Sequence, residues 1–130
     1  MENLYIAATR TSPEIRFDCE KHLLEIKGES FPEDTAEFYT PILSWIEQYL
    51  NFIEKQKVTV NMELIYFNSS TSKIFMDLLD LLDEAAKNGK HISLNWIYDY
   101  ENENAFLAGG EFQEDIESLE FNLIQKDPQE

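Results

Sequence analysis

The stretch that decides the fold is residues 58–73, which read VTVNMELIYFNSSTSK. The first ten of these residues alternate in polarity and predict a long β-strand over 58–67. The second half of that strand is apolar on both sides, which favours a central strand covered on both faces at that end. Asn68 and four hydroxyl residues, Ser69–Ser72, then lead into an apolar pattern of helical period. The strand therefore passes directly into a helix.

The flanking sequence supplies further elements of both kinds. Predicted strands lie at about 4–7, 14–18, 22–27, 91–98 and 119–124. Predicted helices lie at about 40–55, from the hydroxyl segment to Asn88-Gly89, and at about 102–117. The strands at 14–18 and 22–27 form a hairpin, after which helices alternate with single strands, an order typical of parallel crossover units. We therefore predict a single α/β domain over residues 1–130, with a mixed sheet, an N-terminal hairpin, parallel crossover units and amphipathic helices packed on the sheet. Residues 126–130 are expected to form a frayed tail.

Two helix starts are marked by particular residues. Thr40 followed by Pro41 predicts that the first helix begins there, with Thr40 as the N-cap and Pro41 at the first helical position. The second helix is expected to be capped by Ser69 or Ser70, whose hydroxyls suit the free N–H groups of a first turn.

The charge of the chain excludes several classes of partner. It has 26 Asp and Glu against 10 Lys and Arg in 130 residues, a formal net charge of −16, while 43% of the residues are apolar. Seventeen of them are aromatic, which is enough for a folded core, so this acidity does not indicate disorder. Nucleic acids and anionic membranes require basic surfaces, so neither is an expected partner.

The apolar runs are too short for membrane insertion, and Met1 is followed by Glu2 and Asn3, not by a basic and then apolar signal segment. We therefore expect a cytoplasmic protein.

Few residues suggest catalysis. His22 and His91 each begin a predicted strand, outside any metal-binding motif, and Cys19 lies between two acidic residues that disfavour a thiolate. Residues 99–130 contain ten acidic residues and one basic residue, Lys126, which favours a solvated face or a docking surface for a basic partner. We expect no metal, no cofactor and no catalytic residue.

The segment from Asn68 to Lys73 is the strongest candidate for function. A helix cap needs one hydroxyl or amide, whereas this segment offers five. The first turn of a helix also presents free N–H donors and the positive end of the helix dipole, both of which favour a phosphate. One of the hydroxyls is therefore a candidate phosphoryl acceptor, with Lys73 as a nearby cation. The segment contains no glycine, which argues against a nucleotide-binding loop or a serine nucleophile elbow.

At this segment the sequence resembles the SiaC family of bacterial regulatory phosphoproteins, from about residue 3 to 125. The matching motifs are LIYFNSSTSK at 64–73, LEIKGESFPE at 24–33, the Trp45–Leu50 helix motif, WIYD at 96–99 and GEF at 110–112. The resemblance implies a fold like that of the STAS domain of anti-sigma-factor antagonists. It also implies partner switching, in which a SiaB-like kinase adds a phosphate and a SiaA-like phosphatase of the PP2C type removes it. The unmodified form is then expected to bind and activate a SiaD-like diguanylate cyclase, which raises cyclic di-GMP and promotes aggregation or biofilm formation.

The resemblance also implies which residues take part. Ser69 is the first choice for the phosphorylated residue, at a position where the family generally has threonine, and Ser70 and Thr71 are the alternatives. The phosphate surroundings would be Asn68, Ser70, Thr71 and Lys73. The partner surface would include Glu29, Ser30 and Phe31 from one motif and Trp96, Tyr98 and Asp99 from another.

Two other functions are compatible with the sequence. One is a small hydrolase or lyase that uses carboxylates in an acidic cleft, although no histidine, metal or nucleophile motif supports it. The other is a constitutive acidic adaptor that does not switch.

Overall fold

The strands and helices follow one another along the chain in the predicted order. The computed structural model describes residues 1–127. Its elements are β1 (Leu4–Ile6), β2 (Glu14–Asp18), β3 (Leu23–Ser30), α1 (Thr35–Phe52), β4 (Lys57–Phe67), α2 (Ser69–Lys87), β5 (His91–Asp99), α3 (Glu103–Glu114) and β6 (Glu120–Lys126).

The six strands form one mixed sheet in the order β1-β2-β3-β4-β5-β6. The first three strands pair antiparallel, which gives the predicted N-terminal hairpin, and β3 to β6 pair parallel. A helix connects each pair of parallel neighbours, as predicted for crossover units. The mixed α/β architecture predicted from the sequence is therefore confirmed.

The three helices share one core on one side of this sheet. Each crossover advances by one strand in the same direction, so the usual right-handed connection places every helix on the same face. Core-facing residues of β4 alternate (Val58, Val60, Met62 and Leu64) and join one cluster with residues of all three helices. The prediction that β4 is covered on both faces at its end is wrong, because Ile65 on the opposite side is 62% exposed.

Helix α1 begins one and a half turns earlier than predicted. Asp34, not Thr40, is the N-cap, and its carboxylate accepts a hydrogen bond from Glu37 N at 3.0 Å. Pro41 lies inside the helix and leaves the Glu37 carbonyl without its helical donor. Since Glu37 and Pro41 are both exposed, that carbonyl faces water, and the additional turn places Tyr39 in the core.

Two further boundaries differ from the prediction. Strand β3 continues past Gly28, which has a φ of +127° and forms an irregularity in the pairing with β4, and so ends at Ser30. Lys126, predicted to belong to a frayed tail, is the last residue of β6, and its ammonium pairs with Glu63 at 2.7 Å. Residues 128–130 of that predicted tail lie outside the described residues. Among residues 1–127, none of the three helices combines the length and the apolar character needed to cross a bilayer.

Candidate functional site

Asn68 is the residue that starts α2. Its side-chain oxygen accepts a hydrogen bond from Thr71 N at 2.9 Å, and its own N–H donates to the Ser30 carbonyl at 3.1 Å. The expectation that Ser69 or Ser70 is the N-cap is therefore wrong: Asn68 takes that role because an amide oxygen caps as well as a hydroxyl. Consequently the serine hydroxyls are not needed to complete the helix end.

The four hydroxyl residues differ sharply in their accessibility. Ser69 and Ser70 are exposed and Ser72 is half-buried, whereas Thr71 is fully buried. Successive residues of a helix are rotated by about 100°, so one of four consecutive side chains faces the core. Within residues 1–127, the hydroxyls of Ser69 and Ser70 make no side-chain hydrogen bond and remain accessible.

Thr71 belongs to a buried chain of three hydroxyls. The Ser30 hydroxyl lies 2.7 Å from the Tyr39 hydroxyl and 2.9 Å from that of Thr71, and Thr71 also donates to the Ser30 carbonyl at 3.2 Å. Burial raises the pKa of Tyr39 to about 12, an effect that its bond to Ser30 partly offsets, so this phenol stays neutral. The three hydroxyls therefore join the end of β3, helix α1 and the start of α2.

The electrostatic surroundings of Ser69 favour a phosphate. The helix that Ser69 begins has 19 residues and no acidic residue in its first turn. Lys73 is exposed and lies four residues further on, which places it on the same side of the helix as Ser69. A phosphate on Ser69 would therefore lie close to the free N–H groups of the first turn and to one ammonium group.

A groove runs beside Ser69, between the starts of α2 and α3. It has a volume of about 330 Å³, and no carboxylate lines it. Its far wall is formed by the start of α3, where Asn102 caps Ala105 N and donates to the Ile65 carbonyl at 2.9 Å. The lining residues are Ile65, Tyr66, Phe67, Asn68, Ser69, Ser72, Asn102, Asn104, Ala105 and Ala108.

The apolar side chains at the rim of this groove are exposed. Tyr66 is 54% exposed and Ile65 62%, and the ring of Phe31 meets that of Tyr66 edge-on with centroids 5.8 Å apart. Exposed aromatic and aliphatic groups around a groove are typical of protein-binding surfaces. Ile65, Tyr66 and Asn102 were not among the predicted site residues, although the apolar character of both sides of β4 was the signal for the first two.

The predicted partner-binding residues separate into two groups. Glu29 and Phe31 are half-buried: Glu29 pairs with Tyr66 in the register of β3 and β4, and the ring of Phe31 packs on that of Tyr66, so this loop borders the Ser69 site. Ser30, between them, is buried, and its hydroxyl lies against those of Tyr39 and Thr71. The structure thus brings this motif and the hydroxyl segment together.

The second motif contributes less to the surface. Trp96 is buried, and its indole N–H donates to the Ala105 carbonyl at 2.9 Å, so its side chain belongs to the core and is not available to a partner. Tyr98 is half-buried against Phe106, with ring centroids 5.1 Å apart. Asp99 is exposed, and its carboxylate accepts a hydrogen bond from Glu101 N.

The remaining reactive residue types lie elsewhere. The ring nitrogen Nδ1 of His22 is 2.6 Å from the Tyr49 hydroxyl, and Cys19 is buried with its thiol 3.1 Å from the Asn3 side chain. In the described part of the chain, no group of three or more His, Cys, Asp or Glu side chains is arranged to hold a metal ion.

Comparison with known proteins places this chain in a family. The profile of the SiaC family regulatory phosphoproteins matches residues 6–126. An uncharacterized protein of Pseudomonas aeruginosa (strain UCBPP-PA14) is 36% identical over 115 residues, which cover 88% of this chain and 90% of that protein.

Solved structures agree with this match. Apo-SiaC from Pseudomonas aeruginosa is 32% identical, with a TM-score of 0.85 over 95% of this chain and 99% of that chain. A chain in the crystal structure of the diguanylate cyclase SiaD in complex with its activator SiaC, from the same organism, is 34% identical, with a TM-score of 0.89 over 95% of this chain and 99% of that one. The chain therefore belongs to the SiaC family of regulatory phosphoproteins.

Proposed function

We propose that this protein is a non-enzymatic switch whose unphosphorylated form binds and activates a diguanylate cyclase, and that phosphorylation of Ser69 ends this binding. The observation that carries the proposal is the position of an exposed serine hydroxyl at the start of α2, next to the exposed side chains of Ile65 and Tyr66. A modification at Ser69 thus changes the charge of a surface suited to a partner.

Accessibility supports Ser69 over one of its alternatives. A kinase must reach the hydroxyl, and Thr71 is fully buried with its hydroxyl bonded to Ser30. Ser69 and Ser70 are both exposed, but Ser69 is the one of the two that lines the groove. A phosphate on Ser69 therefore has the larger effect on a partner seated there.

The physical basis of the switch is local. One phosphate adds about −1.5 to −2 charges at neutral pH. The net charge of the chain is −16, so one phosphate increases its negative charge by only about a tenth. This change is too small for the overall electrostatic field of the protein to act as the switch. In a contact that had accommodated a neutral hydroxyl, however, a desolvated phosphate costs several kcal/mol unless the partner provides a matching cation. Lys73 and the first-turn N–H groups would hold the phosphate on this protein and not on the partner.

The proposed partners are those that the family resemblance implies. We assign a SiaB-like kinase and a SiaA-like PP2C-type phosphatase to the modification and its removal, and a SiaD-like diguanylate cyclase as the effector. The last assignment is supported by the relative whose crystal structure is that of SiaD in complex with its activator SiaC. A location in the cytoplasm, where ATP and GTP are available to a kinase and a cyclase, is part of this proposal.

Phosphopeptide mapping after incubation with the cognate kinase tests the assignment of the residue. We expect one phosphate on the wild-type protein and on Ser70→Ala, and none on Ser69→Ala. Equal phosphorylation of Ser69→Ala and wild type would refute the choice of Ser69. Absence of any phosphorylated species in protein isolated from its own host, under all growth conditions, would instead favour a constitutive acidic adaptor.

A further inference from the structure

We propose that the protein has a second site at the end of the parallel strands opposite Ser69. This site is a pocket that binds a small molecule through its phosphate group. The pocket has a volume of about 380 Å³ and lies at the beginnings of β4 and β5. Strand β4 runs from Lys57 beside this pocket to Phe67 beside Ser69. The length of the strand separates the two sites by about 33 Å, at about 3.3 Å per residue. The volume of the pocket falls within the range of small-molecule sites, about 300–1,000 Å³.

The lining of this pocket is basic in a strongly acidic chain. Lys57 and His91 are direct neighbours in the pairing of β4 with β5, and Lys90 precedes His91. Glu120 is the one carboxylate among the lining residues. The whole chain has 26 acidic and 10 basic residues, so a pocket with two lysines and a histidine against one acid departs from the average surface. Such a lining attracts an anion.

One of these cations is held in place. Lys90 is half-buried, and its ammonium group donates a hydrogen bond to the Ile53 carbonyl at the end of α1. An ammonium group has three donors, so two remain for a ligand. Because the side chain is already ordered, a ligand that binds it loses less conformational entropy than one that must order a free lysine.

Hydroxyl groups around the cations favour phosphate over a carboxylate. Thr59, Ser93 and Ser118 line the pocket together with the basic residues. The Ser93 hydroxyl accepts a weak bond from the Asn122 side chain at 3.4 Å, so its own O–H is free to donate to a ligand. A phosphate dianion matches two lysine charges and offers three terminal oxygens to this many donors, whereas a carboxylate offers two.

The test is a titration of the full, isotope-labelled chain with inorganic phosphate at constant ionic strength. Binding is monitored through the amide resonances in ¹H–¹⁵N spectra. We expect saturable shifts of the amides at 57–59, 90–93 and 118, and tighter binding of adenosine monophosphate than of phosphate alone because the pocket has room beyond the phosphate. Lys57→Gln and His91→Gln should each weaken binding by about tenfold, the usual effect of losing a charge-assisted hydrogen bond.

Lys27→Gln is the matched control, since it removes an exposed lysine that does not line this pocket, and it should leave phosphate binding there unchanged. Lys90→Gln is a less suitable variant because it also removes the contact with the end of α1. The proposal is overturned if millimolar phosphate produces no saturable shift at these amides, or if Lys57→Gln and His91→Gln bind phosphate as well as the wild type does.

Discussion

The hydroxyl of Thr71 donates a hydrogen bond to the backbone carbonyl of Ser30 at 3.2 Å, and its oxygen lies 2.9 Å from the side-chain oxygen of the same serine. This contact joins the first turn of α2 to the last residue of β3, although 41 positions separate the two residues. Ser69 lies two residues before Thr71. The candidate phosphoacceptor is therefore presented from a helix end that is fixed to the sheet.

Replacing Thr71 with valine should destabilise the protein. The valine has nearly the same shape but leaves the buried Ser30 groups with one partner fewer, which costs about 1–3 kcal/mol. Urea unfolding measures this as a lower midpoint at unchanged slope. Ser70→Ala, at the exposed neighbouring position, is the control and should change the free energy of unfolding by less than about 0.5 kcal/mol. A Thr71→Val protein as stable as Ser70→Ala would show that the buried hydroxyls do not fix the helix end.

Gly109 and Gly110 provide a matched pair in α3. A Cβ atom at Gly109 would lie 2.4 Å from Trp96 Cδ1 and 2.7 Å from Leu123 Cδ2, whereas one at Gly110 meets nothing within 4 Å. Gly109→Ala should therefore destabilise by about 1–3 kcal/mol through overpacking. Gly110→Ala should be neutral or stabilising by up to about 1 kcal/mol, the difference in helix propensity. Thermal unfolding of the two variants checks this, and equal stability would mean that α3 does not approach β5 this closely.

Asp83 should make the stability depend on pH. Burial raises the pKa of its carboxyl, but hydrogen bonds from the N–H groups of Ser118, Leu119 and Glu117 outweigh burial and lower the pKa overall. A carboxyl with a lowered pKa in the folded state contributes stability that is complete above its unfolded value of about 3.9. That contribution is lost as the pH falls through the lower folded value.

Asp83→Asn should consequently be less stable than the wild type near neutral pH, and the gap should narrow below about pH 4. Unfolding curves at several pH values measure the gap. Asp80→Asn, an exposed position on the same helix, is the control and should show little difference at any pH. A gap between wild type and Asp83→Asn that does not change with pH would contradict this role.

Tyr66 should contribute to binding of the cyclase. Its ring is 54% exposed and packs edge-on against Phe31 beside Ser69, an arrangement suited to an interface anchor. Tyr66→Ala should weaken binding by about 2 kcal/mol, measured by calorimetry with the purified cyclase, without loss of folding. Phe52→Ala is the control because Phe52 is similarly exposed, at 52%, but lies at the end of α1. Equal losses for both variants would argue against a binding surface at Tyr66.

The sequence predicted the strands well because alternating residues along β4 and β5 need one buried face whatever the details of packing. It did not predict the start of α1, because α1 continues through Pro41 where the carbonyl left without a helical donor faces water. It also did not predict that one face of the sheet is uncovered at Ile65. The side of the sheet on which the helices lie is set by the direction of all three crossovers together, and no local sequence pattern records it.

The burial of Thr71 was in principle readable from the sequence. Thr71, Phe75, Leu78 and Leu82 follow the spacing i, i+4, i+7, i+11, and all four are buried, so Thr71 extends the apolar stripe of α2 by one turn. A polar residue on such a stripe requires a partner, and here it is Ser30. That partner comes from β3, and no local pattern in the sequence identifies a contact across 41 positions.

The most direct test of the account is the rate of cyclic di-GMP synthesis by the SiaD-like cyclase of the same organism, titrated with two forms of this protein. The unphosphorylated form should activate the cyclase, and the form carrying one phosphate on Ser69 should require at least about tenfold more protein for the same activation, a difference of about 1.4 kcal/mol. Equal activation by both forms at the same concentration would contradict the proposed switch.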